Sequence, residues 1–383
     1  MKFKEIVDFI EDLFGECEKP IPLHSPIFCG NEKKYINECI DSTFVSSTGE
    51  FVDRFEEMVA SFTGAGYAVS TVNGTAALHM ALMLAGVKRG DNVLTQAVTF
   101  VATTNAITYC GAHPVFLDSD RDTLGLSPEA LEAFLAEYCE KRDDGFTYDR
   151  EMGRRITACV AMHVFGHPVR IEEIKSVCER YNIALVEDAA ESLGSFFKGR
   201  HTGTFGNLGI LSFNGNKTIT TGGGGMLLTD NAELAKKAKH LTTTAKVSHP
   251  WELSHDSIGY NYRLPNINAA LGCAQMEMLP LFLEKKRELS IRYKKFFESL
   301  GVPFVSEPVE CRSNYWLNAI ILDGVRERNE FLEYVNNNGV IVTRPLWTLM
   351  NKLPMYAGCK TDGLENARWL EERIVNIPSG VIM

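Results

Sequence analysis

The chain alternates two kinds of hydrophobic pattern. Near its start, Phe3, Ile6, Val7, Ile10, Leu13 and Phe14 recur at helical spacing, with Glu5, Asp8, Glu11 and Asp12 among them. That stripe predicts an amphipathic helix and not a secretory leader, whose apolar run would be free of acids. Phe51, Phe55, Met58, Val59 and Phe62 mark a second helical face, ended by Gly64 and Gly66. Asn73–Gly74–Thr75 then precedes the apolar helical run AALHMALMLAG. Short apolar runs predict strands at Asn92–Thr95, Val115–Leu117, Ile156–Met162, Ile183–Glu187, Gly209–Phe213 and Met226–Thr229. Helical patterns at Ile171–Tyr181 and Ala232–Leu241 lie between several of them. Such alternation is the mark of an α/β domain with a mostly parallel sheet.

Beyond His240 the pattern changes. TTTAKVSHPWELSHDS reads as a loop, and a long helical pattern runs from about Asn268 to Leu300. It contains Pro280, a residue type that kinks helices. Strands are predicted at Trp316–Leu322 and Val340–Thr343, with a helix over Arg326–Asn337. The expected division is a large domain over 1–255 and a smaller α+β domain over 256–383.

Composition narrows the function. With 383 residues, 45% of them apolar, the chain can bury roughly three quarters of its extended surface. A charged fraction of 23% and 10% aromatics exclude a disordered tail protein. No apolar stretch approaches the ~18–20 residues that span a bilayer. The net charge of −10 argues against general binding to nucleic acid or an anionic membrane, though local bases could still hold a small anion. Ten cysteines without a CxxC pair read as reduced thiols, with no disulfide and no metal. A cytoplasmic protein is expected.

The densest chemistry lies in VEDAAESLGSFFKGRHTGTFGNLGILSFNGNKTITTGGGGMLL. Asp188 falls just past the predicted strand Ile183–Glu187, where ligands of open α/β sheets bind. A carboxylate there could keep a ring nitrogen protonated. Taken alone, Asp188 reads as a helix N-cap before AAES. Lys217 follows Phe213, Asn214, Gly215 and Asn216, none of them charged. A desolvated lysine loses its proton more easily and becomes a nucleophile for an aldehyde; an exposed loop lysine is the commoner case. Gly222–Gly225 permits close backbone approach, or simply a flexible turn. Gly74–Thr75 opens a helix, and a helix N-terminus seats phosphate; Asn73 or Thr75 as a plain cap fits as well. A phosphate seat, an anion for a ring nitrogen and an amine for an aldehyde are together what pyridoxal 5'-phosphate needs.

The order Gly74–Thr75, Thr99–Phe100–Val101–Ala102–Thr103, Glu187–Asp188–Ala189–Ala190–Glu191, Ser212–Phe213–x–x–x–Lys217, Gly222–Gly225 and Gly259–Tyr260–Asn261–Tyr262–Arg263 resembles the DegT/DnrJ-type nucleotide-sugar aminotransferases. The likeness runs from about Pro22 to Pro378. It implies a fold-type I pyridoxal-phosphate enzyme: a large domain with a mostly parallel mixed sheet flanked by helices, and a smaller α+β C-terminal domain. By resemblance, Lys217 would form the Schiff base and move protons, and Asp188 would bind the pyridine nitrogen. Glu191 would lie near the 3-hydroxyl, and Phe100 would stack on the ring. Gly74, Thr75 and Ser212 would hold the phosphate. Asn261 would reach the phosphate of a neighbouring subunit, which implies a homodimer with shared active sites. Read without the resemblance, Phe100 is a core aromatic and Asn261 a turn residue.

The implied reaction moves an amino group, usually from glutamate, to a nucleotide-linked ketosugar. The N-terminal run from Ile21 and the tail TRPLWTLM look most like the branch acting on UDP-linked 4-keto-6-deoxy-N-acetylhexosamines, for surface glycans. Ser46, Ser47, Thr48 and Gly49 would border the sugar, and Arg344 would meet the diphosphate or else make a surface or interdomain salt bridge. His163 and His167 in HVFGHP stand four apart, but Gly166 and Pro168 argue against a helical metal site, which leaves loop or core histidines or a sugar contact. Two alternatives share the scaffold. One is a sugar dehydratase, whose relatives replace the Schiff-base lysine; the other is a catalytically silent regulator, which would have lost Lys217, Asp188 or the phosphate seat.

Overall fold

The computed structural model describes residues 2–383. Helices α1 (Lys2–Phe14), α2 (Glu32–Asp41) and α3 (Glu50–Thr63) come first. The main sheet then begins with β1 (Tyr67–Thr71) and continues through α4 (Gly74–Leu84), β2 (Asn92–Gln96), α5 (Val101–Tyr109), β3 (His113–Leu117) and α6 (Pro128–Tyr138). It is completed by β4 (Arg155–Met162), α7 (Ile171–Arg180), β5 (Ala184–Asp188), β6 (Leu208–Ser212), β7 (Gly225–Thr229) and α8 (Ala232–Thr242). The strand order is β1-β7-β6-β5-β4-β2-β3, with the short strands Cys139–Lys141 and Thr147–Asp149 appended at β4. Strands β6, β5, β4, β2 and β3 are parallel, and β7 pairs antiparallel with both β1 and β6. This is the mixed, mostly parallel sheet flanked by helices that the alternating pattern predicts. Strands β2, β4 and β5 are almost wholly buried on both faces, which is why their sequences show no alternation of apolar and polar positions.

Helix α9 (Asn266–Ser299) is one span of 34 residues that runs on through Pro280. Its first half packs on α2 and α3 and its second half on α1. The apolar stripe of α1 is spent there: Ile6, Val7, Ile10 and Leu13 are buried among Leu289, Tyr293, Phe297 and Phe331. A small antiparallel sheet joins β8 (Asn318–Ile321), β9 (Arg344–Pro345) and β10 (Ile374–Ile377), with α10 (Val325–Asn338) between β8 and β9 in the chain and α11 (Glu365–Glu371) between β9 and β10.

Three expectations are corrected here. No helix follows Asp188, so it caps none; residues 189–195 make successive turns instead. The strand expected over Val340–Thr343 is displaced to β9, because Ile341 is bridged to Ile21 rather than to the small sheet. The strand expected from Trp316 starts at Asn318. The Trp316 amide is taken by Asn314 Oδ1 and its carbonyl by Lys286, so neither can join the ladder. The segment after His240 is largely loop, as predicted, with a two-residue hairpin rung pairing Lys246–Val247 with Ser254–His255. Among the described residues, no helix is long and apolar enough to cross a membrane.

Candidate active site

The carboxyl ends of the parallel strands open into a cavity of about 360 Å³. Seven of the residues singled out by sequence line it: Gly74, Thr75, Phe100, Asp188, Glu191, Ser212 and Lys217.

The first wall is the N-terminus of α4. Asn73 caps that helix by accepting from the Ala76 amide at 2.8 Å. The amides of Gly74 and Thr75 have no partner among the described residues. The glycine run brings this helix into place. A Cβ on Gly225 would lie 2.4 Å from the Asn73 carbonyl, so only glycine lets β7 pass so close to the turn. Ser212, at the end of β6, sits against Gly74, where an added Cβ would meet its own Cβ at 3.0 Å. Free amides, the positive end of a helix dipole and a hydroxyl make an anion seat.

Asp188 ends β5 and is buried. Thr103 Oγ1 donates to its Oδ2 at 2.7 Å and the Ala190 amide to its Oδ1 at 3.2 Å. Burial raises its pKa, and Thr103, the Ala190 amide and the Lys217 charge recover only part of that rise. An anion so placed can hold a cationic N–H.

Lys217 lies between these two ends. Its neighbours in sequence are uncharged, but its neighbour in space is not: Nζ is 3.2 Å from Glu191 Oε1. On the other side Nζ stands 3.9 Å from the centroid of Trp316. Glu191 is buried, its Oε2 takes the Phe165 amide at 2.9 Å, and burial pushes its pKa up to about 7. Phe100 is the residue before α5 and half exposed, not a core aromatic; its ring meets Trp347 edge-on at 6.2 Å.

Other expected residues stand apart. Asn261 is exposed and outside this cavity. The loop Ser46–Gly49 packs on α9 instead: the Asn266 amide donates to the Ser46 carbonyl at 2.6 Å, and Gly49 lies against the Asn266 side chain. Arg344 is exposed and donates to the Thr343 carbonyl and to Asn336 Oδ1, with no carboxylate within ion-pair reach among the described residues. His163 and His167 are fully buried core residues; His163 Nε2 faces Glu187 Oε2 at 3.1 Å, and burial lowers His167 to about 4. Among the described residues no three or more His, Cys, Asp or Glu side chains cluster as metal ligands would. Trp316, Trp347 and Thr103 escaped the sequence reading as site residues. Thr103 stands one helical turn after Phe100 inside TFVAT, which is the signal that could have found it.

The sequence pattern of the DegT/DnrJ/EryC1/StrS aminotransferase family matches residues 28–383. The chain belongs to this family. It is 37% identical over 363 residues to a GDP-perosamine synthase of Escherichia coli O157:H7, covering 94% of this chain and 93% of that one. It is 41% identical over 339 residues to a Bacillus subtilis protein assigned as a pyridoxal phosphate-dependent aminotransferase, EpsN, covering 88% and 84%. The crystal structure of the aminotransferase TlmJ from Streptoalloteichus hindustanus superposes with a TM-score of 0.84 at 27% identity, over 94% and 93% of the two chains. As a DegT/DnrJ/EryC1/StrS protein, the chain is a pyridoxal-phosphate-dependent sugar aminotransferase with a fold-type I architecture.

Proposed function

We propose that the enzyme moves an amino group from glutamate to the keto carbon of a nucleotide-linked sugar, with Lys217 as the cofactor lysine. One observation carries the reading: the Lys217 amine, the buried Asp188 carboxylate and the two unpartnered amides of α4 line a single cavity. These residues fit pyridoxal phosphate end to end. The Gly74 and Thr75 amides with the Ser212 hydroxyl would hold the phosphate, Asp188 the ring N–H, Phe100 a ring face, and Glu191 the region of the 3-hydroxyl. When bound, the cofactor supplies a carbonyl carbon for the amino group and a ring that accepts the electron pair released at Cα.

The chain's own part is proton handling and exclusion of water. Lys217 Nζ, once free, takes a proton from Cα and returns one as general base and acid. Glu191, 3.2 Å away with a pKa of about 7, can share that proton near neutral pH. The Trp316 ring closes one side of the amine to solvent. An intact Lys217 also favours amination over the dehydratase reading, and the intact Asp188 and anion seat favour it over a silent regulator.

A homodimer with shared sites remains part of the proposal. Trp251, Leu253 and Ile258, all at least 80% exposed, lie on the segment leading to Asn261. Apolar surface of that kind supports burial against a second copy, from which Asn261 would reach the neighbouring phosphate seat. For the acceptor, the relative named as a GDP-perosamine synthase supports a GDP-linked ketosugar; the UDP-linked 4-keto-6-deoxy-N-acetylhexosamine is the second reading, from the N-terminal run and TRPLWTLM. Ser47, Thr48, Gly49 and Arg344 would then act only outside the cavity proper. Glutamate with GDP-, UDP- and dTDP-linked ketosugars, each product identified by mass and NMR, tests all of this. An amino sugar from the GDP-linked substrate alone is expected, and no product from any ketosugar refutes the proposal.

A further inference from the structure

Asp188 is paired in the sheet with Met162 and Ile210, and Thr103 and the Ala190 amide hold its carboxylate, but no following helix fixes the strand end from behind. Support from that side comes from Glu187. The Glu187 carboxylate is wholly buried and takes four donors: the amides of Gly203, Phe205 and Gly206 at 2.8, 2.6 and 2.7 Å, and His163 Nε2 at 3.1 Å. The loop can fold onto the strand because it carries glycine: a Cβ on Gly206 would lie 2.6 Å from the Leu185 carbonyl, and one on Gly209 2.0 Å from the Gly203 carbonyl. His163 Nδ1 accepts from the Val169 amide, so the ring proton sits on Nε2 and points at Glu187. The backbone amide of the same His163 donates to the Asp188 carbonyl at 3.1 Å.

We infer that Glu187 is a positioning residue for Asp188, fixing the end of β5 through His163 on one side and the 203–206 loop on the other. The inference rests on the reading of Asp188 as partner of the cofactor ring nitrogen. A carboxylate suits this place because all four of its partners donate; an amide would turn an NH2 group toward at least one N–H, leaving buried donors unsatisfied. Burial alone would raise the Glu187 pKa, but His163 and the loop amides more than offset it, so the group stays anionic.

The test uses the holoenzyme with Glu187→Gln, His163→Phe and, as reference, Asp188→Asn. Two quantities are read besides turnover: the dissociation constant of pyridoxal phosphate, and the pH transition of its absorption on the protein. For E187Q and H163F the constant is expected to rise at least tenfold and the transition to shift toward that of D188N, while the cofactor-free protein melts somewhat lower, because buried N–H groups lose their acceptor, but still cooperatively. If D188N is altered but neither other variant departs from wild type by more than twofold, Glu187 has no positioning role. If D188N itself binds and absorbs as wild type, the reading of Asp188 fails instead. Should E187Q not fold, H163F decides, since it removes one donor and leaves the three amides on the carboxylate.

Discussion

The Lys217 amine and the Glu191 carboxylate form an ion pair at 3.2 Å, with the glutamate side chain 1% exposed and the lysine 14%. Burial raises the glutamate far more than its lysine partner lowers it, so its pKa moves from the ordinary 4.5 to about 7. A carboxyl that binds its proton more tightly when folded contributes stability that is complete below the unfolded value. That contribution is lost as pH rises through the folded one. In cofactor-free protein the loss between pH 4.5 and 7 is about 3 kcal/mol at most. Glu191→Gln removes it. Wild type should therefore lose stability relative to E191Q on going from pH 5 to 7; parallel denaturation curves at the two pH values would count against the buried pair.

Lys217→Ala removes the one lysine amine that lines the cavity among the described residues. Turnover should vanish, and with it the absorption of the covalent link between lysine and cofactor. Because Asp188, Ser212 and the α4 amides are untouched, cofactor should still bind weakly and dialyse away. A chromophore that survives and is reducible by borohydride in this variant would assign the covalent link to another lysine.

Gly74→Ala separates packing in the anion seat from fold stability. Alanine has a better helix propensity than glycine, by up to about 1 kcal/mol in a helix interior. Its Cβ, however, would press on Ser212 at 3.0 Å from Cβ and 3.2 Å from Oγ. At the first residue of α4 that gain is smaller and the crowding offsets it, so melting of the cofactor-free variant should stay close to wild type, while its affinity for pyridoxal phosphate falls about tenfold, a cost of about 1.4 kcal/mol. Unchanged affinity would place the phosphate elsewhere.

How far the sequence reveals this site follows from how local each contact is. Asp188, Glu191, Ser212 and Lys217 lie within one segment, and Gly74–Thr75 announces itself by opening a helix. The central strands are legible because they are buried on both faces. Trp316 is not legible. Its closeness to Lys217 exists only after α9 brings the C-terminal region back against the large sheet, and nothing in SNYWL marks that approach. Glu191 misleads in the other direction. The four residues before Lys217 are uncharged, yet the chain folds a carboxylate 26 positions earlier onto its amine. The Asp188 cap fails for a related reason, since Ala189–Ser192 has helical propensity but is held in turns by the packing of the loops around it.

Lys286 gives the last prediction. It is fully buried on α9, with no carboxylate partner among the described residues, and its Nζ donates to the Trp316 carbonyl at 3.2 Å and the Ser379 carbonyl at 2.6 Å. Burial lowers its pKa from 10.5 to about 7. A lysine depressed in the folded state contributes stability that is complete above the unfolded value and is lost as pH falls through the folded one. Wild type should therefore gain about 1.4 kcal/mol per pH unit from this group above pH 7. Lys286→Met abolishes that gain and leaves two buried carbonyls unpaired, at a cost of about 1–3 kcal/mol each. Below pH 7 the deficit is partly offset, because wild type must then bury a charge. The stability difference between K286M and wild type should widen from pH 6 to pH 8.5, by up to about 2 kcal/mol. A constant difference across that range would mean that the buried amine does not titrate there and that its two carbonyl bonds alone account for its effect.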